Sequence, residues 1–139
     1  MNTEIKKHEL LENKYKLMKK NFKKEFQLSW IKRKKAKLNL KRERTIQKKL
    51  KQEIILEKIE DLNKKSKFKT KLLKTESKIA TFDYKLQDLE NKIKDKLKNI
   101  EDINTKISDI DKEILELKEE ISSEISEQTS NLSNDENEE

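Results

Sequence analysis

The chain has 139 residues, 45% of them charged and 31% hydrophobic, with a net charge of +7 and neither Gly, Pro, Cys nor Val. Without glycine it lacks phosphate loops, dinucleotide fingerprints and nucleophile elbows, and without cysteine it lacks disulfides and thiolate metal sites. The scarcity of strand and hairpin residues argues against a sheet, while Leu, Ile and Phe together (36 residues) keep the chain above the hydrophobic floor of a disordered one.

The expected fold is all-α: two or three long helices forming a coiled coil, with no β-sheet. Residues 3–74 read as a basic amphipathic helical region. Within it Leu11, Tyr15, Met18, Phe22, Phe26 and Trp30 recur at spacings of three or four. At 100° per residue they share one apolar face of a helix. Leu10, Leu17 and Leu28 widen that face on one side. A membrane-surface role is one reading of it, since aromatic residues backed by lysines suit an interfacial helix. The commoner fate of such a stripe is to pack against another helix.

The run "WIKRKKAKLNLKRER" follows, with Lys32, Arg33, Lys34, Lys35, Lys37, Lys41, Arg42 and Arg44 against a single acid. Lysine-to-phosphate contacts are sequence-independent and salt-sensitive, so this run is a candidate nonspecific surface for nucleic acid or another polyanion. Its bland alternative is a solvated face in a lysine-rich protein. From 63 to 75 only Phe68, Leu72 and Leu73 interrupt lysine and small polar residues, which places a bend or loop there.

Residues 76–126 carry a heptad repeat. Position a falls on Ile79, Leu86, Ile93, Ile100, Ile107, Ile114 and Ile121, and position d on Phe82, Leu89, Lys96, Ile103, Ile110 and Leu117. A seven-residue repeat sustained this long implies a left-handed supercoil with a partner helix. Lys96 is its one polar intruder, either a tolerated flaw whose stem packs while its ammonium reaches water or a device that fixes register.

Two partners for the seam are open, and they are compatible with each other as two hairpins meeting at one seam. In a parallel homodimer, g-to-e' pairing joins Lys78 to Asp83, Lys85 to Glu90, Lys106 to Asp111 and Glu113 to Lys118, all attractive. In an antiparallel hairpin the chain's own first half serves: residues 1–75 carry a net charge of +17 and residues 76–139 a net of −10. Residues 127–139 are expected to form a disordered acidic tail.

A basic half followed by a heptad zipper resembles the layout of basic leucine-zipper transcription factors. The Asn and Arg spacing of that family's basic region is absent, and some thirty residues separate the basic run from the zipper. The resemblance is therefore one of layout alone.

Catalysis is not indicated. His8 is the sole histidine, and Asp109, Asp111 and Glu113 fall at c, e and g of a helix without the glycine that a calcium loop needs. No cofactor, metal or small-molecule substrate is expected. The longest purely apolar run is Ile54-Ile55-Leu56, too short for a membrane span or signal-peptide core, which makes the cytoplasm the expected location, or the nucleus in a eukaryote. The function expected is that of a non-enzymatic coiled-coil structural or adaptor subunit, with itself and other helical proteins as partners.

Overall fold

The computed structural model describes the backbone of residues 2–137 and the side chains of residues 2–128. It contains two helices, α1 (Asn2–Lys58) and α2 (Leu62–Asn137), which pack against each other as a helical hairpin. Lysine, leucine, glutamate and glutamine all favour helix, and neither helix contains glycine or proline to break it.

The break lies at residues 59–61, not in the 63–75 stretch that the lysine-rich composition suggested. Asp61 decides its position. Its carboxylate accepts the backbone N–H of Asn63 at 3.1 Å, and its carbonyl accepts the N–H of Lys65 at 2.9 Å. Those two bonds make Asp61 the N-cap of α2. Upstream, the Ile59 N–H reaches back only three residues, to the Leu56 carbonyl at 3.3 Å, so the last turn of α1 tightens as it ends. The lysines of 63–75 sit instead in the opening turns of α2.

The tail is a second correction. The helix continues through Asn137 and takes in most of the 127–139 segment expected to be disordered. That segment is polar but has no breaker, and an established helix propagates at little cost per residue.

The chain divides into two compact units. The second unit, Phe26–Leu97, contains the turn. On its α1 side Leu28 is buried, and Ile31, Lys35, Leu38, Arg42, Thr45, Lys49, Gln52 and Leu56 are half-buried, alternating at spacings of three and four. On its α2 side Leu89 and Ile93 are buried, and Ile79, Phe82, Leu86 and Lys96 are half-buried. Among the described residues three ion pairs tie the two helices of this unit together: Lys35 to Glu90, Arg42 to Asp83 at 2.5 Å, and Lys49 to Glu76 at 3.7 Å. The α1 partners climb by seven while the α2 partners descend by seven, as only antiparallel helices in heptad register allow.

The first unit joins Met1–Glu25 to Lys98–Glu139 and shows the same ladder. Lys14 pairs with Asp111 at 2.7 Å, and the Asn21 amide donates to Asn104 Oδ1 at 2.7 Å. Ile103, Ile114 and Leu117 are buried, while Ile100, Ile107, Ile110 and Ile121 are half-buried. The facing side of α1 supplies half-buried Leu10, Lys14, Leu17 and Lys24 around buried Asn21.

Of the two arrangements that the heptad pattern allowed, the fold is therefore the antiparallel hairpin. Asp83, Glu90 and Asp111, the acids of three of the four pairs compatible with a parallel dimer, bond instead to Arg42, Lys35 and Lys14 of the same chain.

Candidate functional site

A residue pointing at the partner helix and one pointing away differ by about half a turn, so the inward series on α1 determines what its outer face displays. In the second unit the inward positions include Leu28, Ile31, Lys35, Leu38 and Arg42. The far side of α1 then carries Phe26, Trp30, Arg33, Lys37, Lys41, Arg44 and Lys48, all exposed. They step by three or four and fall within an arc of about 80° at 100° per residue. Two aromatic rings lead and five cations follow along one line.

The rings are well exposed, Phe26 at 75% and Trp30 at 65%. They border a shallow groove of about 530 Å³ together with Gln27, Ile31 and Lys96. The Lys96 ammonium donates to Gln27 Oε1 at 2.8 Å. That bond anchors the charged tip of Lys96 on Gln27, and its methylene stem is left to line the groove.

The eight basic residues singled out from the sequence divide by direction. Lys35 and Arg42 point inward and are held by Glu90 and Asp83, with Arg42 also 3.4 Å from Glu43. Neither belongs to an open anion-binding surface. Lys32, Arg33, Lys34, Lys37, Lys41 and Arg44 are exposed and take part in no ion pair among the described residues. Lys48 joins them. It lies outside the dense basic run, and only the helical period places it in line. The second unit as a whole holds 23 basic and 10 acidic residues, a net of +13.

In the first unit the aromatic stripe does not form the hairpin core. Tyr15 is 61% exposed and Phe22 67%, while Leu11 and Met18 are half-buried. The flanking leucines Leu10 and Leu17 take the seam instead. The physical reason is register: Tyr15 and Phe22 each follow an inward residue, Lys14 and Asn21, by one position, which rotates them 100° out of the interface. Phe22 and Met18 border a second groove of about 270 Å³ with Lys14, Asn21, Glu25, Asn104 and Ile107.

Charge in these ladders is shaped by its partners. The Lys14 ammonium is held above the usual lysine range, first by its hydrogen bond to Asp111 and also by that carboxylate's charge. The Glu90 carboxyl is held below the usual glutamate range by the hydrogen bond and charge of Lys35. Asn21 is a buried polar residue of the first unit's seam, and its Oδ1 has no hydrogen-bond partner among the described residues.

Among the described residues no group of acids, histidines or cysteines is arranged to hold a metal ion, and no helix is long and apolar enough to cross a membrane. No family model, curated protein or solved structure matches the chain.

Proposed function

We propose that this chain is a non-enzymatic coiled-coil hairpin serving as a structural or adaptor subunit, with further copies of itself and other helical proteins as its partners. The observation that carries this reading is the exposure of Tyr15 and Phe22 in the first unit. The hairpin covers the isoleucine seam of α2 with Leu10 and Leu17, yet leaves larger rings on the adjacent face of α1. Aromatic residues dominate helix–helix interface energetics because each buries so much area, and a helix laid beside α1 would cover both rings along with Leu11 and Met18 at helical spacing.

Sedimentation equilibrium of the full chain at micromolar concentration tests the reading. Self-association is the expected result. The double variant Tyr15→Ser, Phe22→Ser should weaken it at least tenfold while leaving the helical circular dichroism unchanged, because neither ring is in the hairpin core. A chain that is monomeric at every concentration removes the homo-oligomeric part of the proposal. Association unaffected by the double variant removes this face as its cause.

A further inference from the structure

We infer that the second unit binds single-stranded nucleic acid along the outer face of α1, with a base stacked against Trp30 and Phe26 and the phosphates following Arg33, Lys37, Lys41, Arg44 and Lys48. The residues it uses all belong to the second unit, and the inference does not rest on the adaptor reading.

Three observations converge on this ligand. The cations form a line, not a cloud, and none of the five is committed to an ion pair among the described residues. The aromatic pair lies at one end of that line, beside a groove of about 530 Å³ lined also by Ile31 and Lys96. From Phe26 to Lys48 the row is roughly 33 Å long at 1.5 Å per residue, which suits the short end of single-strand sites of about 4–16 nucleotides. Base–aromatic stacking combined with a basic track is how single strands are held without sequence readout.

The other occupants fit less well. An anionic membrane needs a continuous apolar face, and here Arg33, Lys37 and Arg44 interrupt it directly after Trp30. A second copy would bring the same row of cations against its own kind. A duplex buries its bases in the stack and offers Trp30 no ring face.

Trp30 is the only tryptophan in the chain, so its fluorescence reports on the proposed contact. The full chain is titrated with an oligothymidylate of roughly 12 nucleotides, both by Trp30 emission and by anisotropy of a fluorescein-labelled strand. Saturable quenching is expected. Affinity should fall with salt on a log–log slope no steeper than about −3.5, the value for five phosphates on a single strand. Trp30→Ala should weaken binding about 5- to 100-fold. Reversal of Arg33, Lys37 and Arg44 to glutamate should weaken it at least as much, and since all three are exposed the helical signal should persist. Lys35→Gln, at an inward residue, should change affinity less than about twofold. Absence of binding at low salt overturns the inference. So does tighter binding of a duplex of equal length without quenching, or full affinity retained by Trp30→Ala. A blue shift of Trp30 emission with phosphatidylserine vesicles but no response to the oligonucleotide would overturn it in favour of a membrane surface.

Discussion

Glu90 and Lys35 show how much one pair of side chains settles. In a parallel dimer Glu90 would bond a lysine of another chain; here it bonds Lys35 of its own. The contact lowers the Glu90 pKa in the folded state. The stability it contributes is therefore fully present above the unfolded glutamate value of about 4.3 and is lost as pH falls through the lower folded value. Lys14 has the opposite sign: its folded pKa is raised, so its contribution is present below the unfolded lysine value of about 10.4 and is lost as pH rises beyond it. Thermal melts of the chain should accordingly decline on both sides of a broad neutral plateau. Glu90→Gln should flatten the acid side while leaving the alkaline side as it was. An acid limb identical in the two proteins would show that Glu90 does not feel Lys35 in solution. Asn21 acts at the same scale in a different way. A buried asparagine on a seam weakens the seam but restricts the registers the helices can adopt, and its partner Asn104 meets it at the heptad step shared with Lys14 and Asp111.

At the scale of the element, Asp61 separates two helices that composition alone would allow to merge. No glycine or proline stands between Lys58 and Leu62, and every residue on either side tolerates helix. The carboxylate satisfies the Asn63 N–H, one of the N–H groups that a helix start leaves without a partner. Asp61→Ala should therefore lower stability by about 0.5–2 kcal/mol, read from urea denaturation followed by circular dichroism. It should also broaden the transition as α1 and α2 compete to extend through the turn. Unchanged stability would place the cap elsewhere. Within α2 threonine recurs, and Thr75, Thr81 and Thr105 each donate a hydroxyl hydrogen bond to the carbonyl four residues back. This satisfies polar side chains without a tertiary partner, and for Thr75, 4% exposed, it is what makes burial tolerable.

At the scale of the whole molecule, the α2 seam is covered because α1 is present. Residues 76–126 alone would expose Ile79, Leu86, Leu89, Ile93 and the isoleucines after them, each of which stabilises by about 1.5–3 kcal/mol when fully buried. The isolated segment should then be helical and self-associate at micromolar concentration, and adding a peptide of residues 2–58 should convert the homo-oligomer into a heterodimer. A segment that sediments as a monomer at all concentrations would show that the seam is too weak to hold without the charged ladder of α1. The two units also differ in charge: the second carries a net of +13, and the first, with 12 basic and 18 acidic residues, a net of −6. The excess positive charge is thus on the unit whose outer face carries the unpaired cations.

The helical class, the absence of a sheet and the inward positions of α2 were all legible without coordinates, because a heptad repeat of isoleucine and leucine permits one face to be buried and no other. The inward face of α1 was not legible. Its apolar pattern is dominated by Tyr15, Phe22, Phe26 and Trp30, which stand in solvent. The residues that do face α2 alternate leucine with lysine, asparagine and arginine, a pattern that reads as surface until the acids of α2 are set opposite. Asp61 was likewise one acid among many until the backbone showed which N–H it accepts. Charge at any position is a property of the residue, but whether a cation is spent on an intramolecular partner or left facing outward depends on the register of two helices. Only the packed structure separates Lys35 and Arg42, which are held inward, from Arg33, Lys37, Lys41 and Arg44, which are not. One residue of register moves a side chain by 100°, and composition carries no information about that rotation.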